Sequence, residues 1–179
     1  MKSPLITDFL ATTFLLGGLL ASIPGHAASD APARVSVVFV EPDKFTDVRY
    51  SETERSSRAL LLQLQRFIMD SAARFLPEAL RMEIKITDID MAGDFEPIRG
   101  PQLDHVRVNR SVYPPRIVLD FRVVDPGEQT VKEGKRNLTD IDYQLRTAYP
   151  REDYLRYEKE LLRDWLRTEL GVLSAGKAN

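Results

Sequence analysis

The spacing of the apolar residues changes at Pro77, and this change limits the possible folds more than any other feature of the chain. Before Pro77, segment 51–76 places apolar side chains on one face of a helix that turns by about 100° per residue. After it, segment 80–89 alternates apolar and polar side chains, as a half-buried strand does. The chain is therefore predicted to combine helices with a sheet. The helical face comprises Leu60, Leu61, Leu64, Phe67, Ile68 and Phe75.

Two helices are predicted, and the sequence marks the ends of both. Ser51 with Glu54 forms a capping-box pattern that starts the first helix, and Pro77 ends it. The second runs from Pro150 to Gly171, where the glycine is expected to stop it. It is amphipathic, with an apolar stripe that comprises Tyr154, Leu155, Leu161, Leu162, Trp165 and Leu166.

Further segments are typical of strands. Residues 33–40 are rich in β-branched side chains and apolar on both faces, which favours a strand in the middle of a covered sheet. Residues 105–110 and 115–125 are also strand-like. A turn at 125–129 then leads into 129–138, a polar segment expected to form the edge strand of a hairpin.

The predicted order of elements is therefore β-α-β-β-β-β-α. Strands that follow one another, with helices at two places, indicate an α+β fold. We expect a mainly antiparallel sheet of four to five strands with both helices packed on one face.

The N-terminus has the order of a secretory signal peptide. Lys2 precedes an apolar run from Phe9 to Ile23, and small residues follow up to Ala27. An uncleaved membrane anchor is the alternative, but the run is shorter than the roughly 20 residues that span a bilayer. We expect residues 1–27 to be cleaved, and residues 28–179 to form a single periplasmic domain without a membrane span.

Composition removes several classes of function. The chain contains no cysteine, so a disulfide, a lipid attached to an N-terminal cysteine and a cysteine nucleophile are all excluded. His26 lies in the predicted signal peptide, which leaves His105 as the one histidine for a metal or catalytic site. The net charge is −2, so no nucleic-acid partner is expected, because phosphate binding requires a basic face.

The stretch TDIDMAGDFEP at 87–97 carries four carboxylates, Asp88, Asp90, Asp94 and Glu96, around Gly93. It partly follows the spacing of a calcium-binding loop, but Ala92 and Arg99 occupy two ligand positions. Three interpretations remain open: a site for a hard divalent cation such as calcium, a pair of carboxylates for acid/base chemistry, and a polar turn after a strand. Asp88 continues the apolar face of its strand and is expected to be partly buried.

Glu158 falls near the centre of the apolar stripe of the last helix, where a charge is costly unless it is paired. One interpretation is an ion pair with an arginine such as Arg116 or Arg122, or a carboxylate that accepts backbone hydrogen bonds. The other is a ligand pocket with Glu158 and Trp165 at its floor.

Four blocks of the sequence resemble a bacterial family known as domain of unknown function 3016: VVFVEPDKFTDVR, LPEALRMEIKITDIDMAGDFEP, NLTDIDYQ and LRYEKELLRDWLR. The family pattern matches Pro42 to Asp47, Thr87 to Asp90, Tyr157 to Lys159, and the Asp164–Trp165 pair. The aromatic-Pro step of the family is present as Tyr113 followed by two prolines, a small departure. The resemblance extends from about Arg34 to Arg167 and implies a small exported bacterial protein, but it implies no activity, cofactor or partner.

Two functions are compatible with these observations. The first is a non-enzymatic periplasmic module that binds an envelope protein, peptide or glycan and needs no cofactor, with the hairpin edge as one candidate contact surface. A factor that contacts other proteins only transiently, in stress or assembly, cannot be separated from it by sequence. The second is a metal-dependent or carboxylate-based hydrolase that uses Asp88, Asp90, Asp94 and Glu96.

Overall fold

Two helices cover one face of a four-stranded sheet. The computed structural model describes residues 33–48, 54–96, 106–145 and 149–175, which belong to one compact unit, Pro32–Asn179. In chain order the elements are β1 (Val35–Phe39), α1 (Glu54–Phe75), β2 (Arg81–Asp90), β3 (Asp94–Phe95), β4 (Arg107–Val108), β5 (Arg116–Val124), β6 (Thr130–Thr139) and α2 (Arg156–Ala175). Short 3₁₀ turns occupy Pro42–Lys44 and Tyr143–Leu145.

The strand order in the sheet is β1-β2-β5-β6. β1 and β2 run parallel, with Val37 opposite Ile84, because α1 carries the chain back to the start of the next strand. The pairs β2–β5 and β5–β6 are antiparallel, and the second pair is a hairpin. The sheet is therefore mainly antiparallel, and β1 and β6 form its two edges.

The core lies between the covered face of the sheet and the two helices. Alternate residues of β2 and β5 point into it and meet the apolar faces of α1 and α2. Burying each large aliphatic side chain contributes about 1.5–3 kcal/mol, so these rows supply most of the driving force for folding. The predicted faces of both helices are confirmed. The buried residues include Met82, Ile84, Ile86, Ile117, Leu119, Phe121, Leu64, Ile68, Leu162 and Leu166.

The other face of the sheet is open and charged. Three strands place opposite charges directly across from one another in two adjacent rows. Opposite charges on neighbouring strands attract one another, and the favourable hydration of the charged groups stabilises this face in contact with water. One row is Glu83, Arg122 and Glu133; the next is Lys85, Asp120 and Lys135.

A two-stranded ribbon follows the end of β2. The chain turns at Gly93, and β3 then pairs with β4 so that Asp94 lies opposite Val108. Gly93 has φ +81°, and a Cβ atom there would lie 2.4 Å from the Asn109 side-chain amide and 2.8 Å from the Val108 carbonyl oxygen. Only glycine fits this position, because it has no Cβ and tolerates positive φ.

The α+β class, the mainly antiparallel sheet and the two helices on one face are confirmed. Three details differ. β1 is an edge strand and not a central one, because β2 is its one partner among the described strands. Residues 107–108 pair with β3 in a separate ribbon, outside the main sheet. Gly171 does not stop α2, which continues to Ala175.

Several predicted features lie outside the described residues: the signal peptide at 1–27, Ser51 of the capping box, and His105. Of the helices that the structure does describe, none combines the length and the apolar composition that crossing a membrane requires.

Because Gly171 lies inside α2 and a Cβ atom there would meet nothing within 4 Å, Gly171→Ala should stabilise the protein. Alanine has the higher helix propensity, so we expect the free energy of unfolding to rise by about 0.5–1 kcal/mol in urea titrations. The matched substitution Gly93→Ala should lower it by at least about 1 kcal/mol, because alanine is strained at positive φ. Shifts of the same sign in both variants would contradict this account of the two glycines.

Candidate functional site

Asp88 is tied to the loop that follows β1. Its carboxylate accepts hydrogen bonds from the amide (2.7 Å) and the hydroxyl (2.8 Å) of Thr46, and from the Arg116 guanidinium (2.6 Å). Burial on its own would raise the pKa of Asp88, but these hydrogen bonds and the charge of Arg116 hold it below its ordinary value. Asp88 is therefore an ionised carboxylate whose hydrogen-bonding capacity is used inside the fold.

A bulge in β2 determines where Asp88 points. Ile86 lies opposite Leu119 and Asp88 lies opposite Val118, so β2 contains one extra residue, Thr87, at this point of the pairing. After the bulge Ile89 takes the buried position, and Asp88 is turned to the open face. The expectation that Asp88 continues the apolar face is therefore wrong, because the regular alternation of side chains between the two faces of β2 is interrupted by the bulge between Ile86 and Asp88.

Of the other three acids of the 87–97 stretch, Asp90 shares Arg116 with Asp88, whereas Asp94 and Glu96 have different partners. Asp90 lies 3.9 Å from Arg116, Glu96 lies 2.9 Å from Arg110, and Asp94 accepts a hydrogen bond from the next amide. Burial raises the pKa of Asp90, with a smaller contribution from the negative charges of nearby aspartates. Nowhere in the described ranges do three or more Asp, Glu, His or Cys side chains gather as a possible metal-ligand set.

A buried guanidinium, that of Arg107 on β4, joins three parts of the chain. It pairs with the Asp47 carboxylate, donates to the Gly93 carbonyl oxygen at 2.6 Å, and donates through Nε to the Tyr154 hydroxyl at 3.0 Å. Its carbon Cζ lies 4.6 Å from the centre of the Phe95 ring. Burial would lower the pKa of Arg107, but the bond to Asp47 and its charge raise it above the ordinary value. We call this cluster the Asp47–Arg107 tie. Its role is structural, because its donors and acceptors satisfy one another's hydrogen-bonding capacity.

Glu158 on α2 is only 1% exposed and lies beside this tie. One carboxylate oxygen accepts a hydrogen bond from the Ala92 amide at 2.8 Å, and the other has no hydrogen-bond partner in the part of the chain that the structure describes. Burial raises the pKa of Glu158 to about 7, although the Ala92 amide and the positive charges of Arg107 and Arg156 act in the opposite direction. Glu158 therefore changes charge near neutral pH.

The partner of Glu158 is thus a backbone amide, and not Arg116 or Arg122. Arg116 is committed to Asp88, and Arg122 lies on the open face, where its Nε donates to the Thr130 hydroxyl. Of the interpretations based on sequence, the carboxylate that accepts backbone hydrogen bonds describes the observed contact.

Trp165 has different neighbours. Its ring meets Phe121 edge to face at 5.6 Å, and its indole N–H donates to the Glu169 carboxylate at 3.2 Å. Arg136 holds the same carboxylate at 2.8 Å. Glu158 contacts the turn after β2, whereas Trp165 contacts Phe121 of β5 and Glu169 of its own helix, so the described contacts do not join the two in one pocket.

A groove of about 610 Å³ lies between β1, the loop at 40–48 and the first half of α1. Its lining is mainly apolar, and two of the side chains, Val38 and Leu62, are about half exposed to solvent (52% and 48%). Asp43, Arg58 and Gln65 add polar groups. The apolar lining comprises Val37, Val38, Phe39, Pro42, Phe45, Val48, Leu61 and Leu62.

Sequence reasoning missed both the Asp47–Arg107 tie and the groove. Asp47 stands in the PDKFTD block that carries the family resemblance, which was a usable signal. Arg107 alternates with Val106 and Val108 in a short segment whose partner strand has only two residues, so nothing local predicted its burial. The groove exists because β1 is an edge strand. The sequence did not predict this position, because the two apolar faces of β1 are typical of a central strand.

The buried carboxyl of Glu158 makes stability depend on pH. Its pKa is higher in the folded protein (about 7) than in the unfolded chain (4.5), so the folded state binds more protons between these values and stability falls as pH rises through this window. Glu158→Gln keeps an oxygen acceptor for the Ala92 amide and removes the titration. We expect the wild type to lose on the order of 3 kcal/mol between pH 4.5 and pH 8 through this group, and the variant to lose none of it.

The measurement is urea unfolding of both proteins across this pH range, read as the difference between them so that other titrating groups cancel. Glu158→Gln should be the more stable protein at pH 8, and its advantage should shrink towards pH 4.5. Parallel stability curves for the two proteins would mean that Glu158 is ionised throughout, with a partner outside the described contacts.

Comparison with known proteins identifies the family. The model of the family described as protein of unknown function DUF3016 matches residues 33–168, which include all the strands that the structure describes and most of α2. No curated protein and no solved structure matches the chain. The match extends over more than half of the chain and agrees with the blocks at 42–47, 87–90 and 157–159, so the chain belongs to the DUF3016 family.

Proposed function

We propose that this protein is a non-enzymatic binding module of the bacterial cell envelope, exported to the periplasm, and that the groove beside β1 binds a segment of a partner polypeptide. The observation that carries the proposal is the groove itself. It is concave, its lining is mainly apolar, and Val38 and Leu62 are left about half exposed at its surface. Exposed apolar surface that lines a concavity is typical of a site for another molecule.

Binding is favoured over catalysis by what surrounds the polar residues. Asp47, Asp88 and Arg107 make hydrogen bonds within the fold, and these bonds connect the loop after β1 to β2 and β4. Among the described residues that line the groove, Ser57 and Thr46 carry hydroxyls, but no histidine accompanies them as a base. A hydrolase built on Asp88, Asp90, Asp94 and Glu96 is the weaker candidate, because the four carboxylates do not share one set of contacts. Asp88 and Asp90 both pair with Arg116, Glu96 pairs with Arg110, and Asp94 accepts from the next amide.

Export is proposed from the N-terminal sequence. The order of a positive start, an apolar run and small residues before Ala28 supports cleavage and release into the periplasm. The lack of cysteine is compatible with an oxidising compartment, since no thiol needs protection there.

Export can be tested by osmotic shock of cells that produce the full chain. The released protein should begin at Ala28, as read by N-terminal sequencing. As a control, Leu15→Arg with Leu16→Arg interrupts the apolar run and should keep the chain in the cytoplasm with residues 1–27 attached. Recovery of the unaltered chain from the cytoplasm, with its first 27 residues intact, would contradict the proposal.

Binding in the groove can be tested by placing a photoreactive phenylalanine analogue at position 62 and, as a control, at position 131. Leu62 and Val131 are both about half exposed (48% and 46%), but Val131 lies on β6, at the other edge of the sheet. Irradiation of cells should give a discrete protein adduct from position 62 and none from position 131. Adding Val38→Asp to the position-62 protein should abolish the adduct, because it places a charge in the apolar lining.

Equal adducts from positions 62 and 131, or an adduct that survives Val38→Asp, would place the contact elsewhere and remove the groove as the binding site. The melting temperature of each variant, measured on purified protein, separates loss of binding from loss of folding.

A further inference from the structure

We infer that the partner segment binds as an added β-strand along the edge of β1 that no described strand covers, with its apolar side chains in the groove. This inference rests on the proposed function and specifies its chemistry: the ligand is an extended polypeptide whose backbone pairs with residues 35–39. Main-chain hydrogen bonds provide affinity in this mode of recognition, and the pockets beside the edge provide selectivity.

The backbone of β1 shows which of its groups are turned towards the free edge. The Val40 amide donates to Ile86 at 2.9 Å and the Arg34 carbonyl oxygen accepts from Met82 at 2.8 Å, so residues 34 and 40 face β2. Backbone groups alternate in direction along a strand, which turns the N–H and C=O groups of the odd-numbered residues away from β2. These residues are Val35, Val37 and Phe39.

One side-chain contact shows that this edge can accept hydrogen bonds. Gln65 on α1 donates to the Val37 carbonyl oxygen at 2.8 Å. The carbonyl is therefore accessible from the groove, and the amide of Gln65 stands where the N–H of an added strand would lie. A flexible, half-buried glutamine side chain can give way to a backbone donor, so the contact does not close the edge.

The groove lies beside this edge and has suitable chemistry for the side chains of an added strand. Phe45, Leu61 and Leu62 form apolar surface next to the outward groups of β1. The groove is bounded by the loop at 40–48 on one side and by α1 on the other, so it accepts a single extended segment more readily than the broad edge of another sheet. Arg58 and Asp43 also lie on its walls, so an acidic ligand residue is favoured beside Arg58 and a basic one beside Asp43.

The two edges of the sheet differ in a way that supports β1 as the receptor. β6 carries three positively charged side chains, Lys132, Lys135 and Arg136. Charged side chains, lysine above all, are among the means by which proteins prevent edge pairing. β1, with the sequence VSVVF, has no charge and high β-propensity. The hairpin edge is therefore the protected edge, and β1 is the one open to pairing.

The test uses the exported chain and peptides selected on it from a phage-displayed random library, with the tightest binder resynthesised as the probe. Two variants at one position isolate the outward amide. Phe39→Ala removes the ring and keeps the N–H, whereas Phe39→Pro removes both, and neither change removes a donor to β2. We expect the selected peptide to bind Phe39→Pro at least about fivefold more weakly than Phe39→Ala, as the loss of a backbone hydrogen bond predicts.

Hydrogen exchange provides the second measurement. The bound peptide should slow exchange of the Val37 and Phe39 amides and leave that of Val38, which already faces β2, unchanged. Peptides that bind and are weakened by Leu62→Glu, but that bind both Phe39 variants equally and protect neither amide, would overturn strand addition and leave the groove as the site. Failure to select any peptide that Leu62→Glu weakens would remove both proposals.

Self-association is the remaining outcome to distinguish. If sedimentation of the chain without peptide shows a dimer that Phe39→Pro dissociates and Phe39→Ala does not, the occupant of the edge is a second copy of this chain. That result would overturn the inference of a separate partner polypeptide.

Discussion

The burial of a single guanidinium, that of Arg107, is the constraint on which the rest of the structure depends. A buried charge without hydrogen-bond acceptors is strongly unfavourable, so the N–H groups on each edge of this guanidinium require an acceptor. The acceptors come from the loop after β1 (Asp47), the turn after β2 (Gly93) and the segment before α2 (Tyr154). Satisfying Arg107 therefore fixes the ribbon, the loop and α2 relative to one another, and it places the Ala92 amide against Glu158.

The sequence blocks that carry the family resemblance meet around this constraint. The block at 42–47 supplies Thr46 and Asp47, the block at 87–90 supplies Asp88, and the block at 157–159 supplies Glu158. Their polar groups form hydrogen bonds with the backbone and with one another, so these motifs have a structural role and form the frame that holds the loop, β2 and α2 together. The 42–47 block also forms one wall of the groove, which links the frame to the surface where we propose that a partner binds.

How far the sequence predicted the structure depended on the range of the interactions. The faces of α1 and α2 and the alternation in β2 follow from local periodicity, and all three were correct up to the bulge near Asp88. The position of β1 at the edge depends on which strands pair, a choice made by distant residues. Glu158 was recognised as anomalous because it interrupts an apolar stripe, but its partner lies in a turn that no local pattern connects to α2. The four acids form a cluster in sequence, but in the structure Asp88 and Asp90 share Arg116, whereas Glu96 pairs with Arg110, so the four do not gather at one point.

The parallel pairing of β1 with β2 has a consequence for how the protein folds and opens. The paired residues Val35 and Met82 are separated in sequence by the whole of α1, whereas β5 and β6 are joined by a short turn. Loop closure of this length delays pairing, so β1 should join the sheet late and be among the first strands to leave it. A strand bound on its outer side would hold β1 from both sides. Binding of the partner strand would then be thermodynamically linked to the cooperativity of unfolding, and it would stabilise the pairing of β1 with the rest of the sheet.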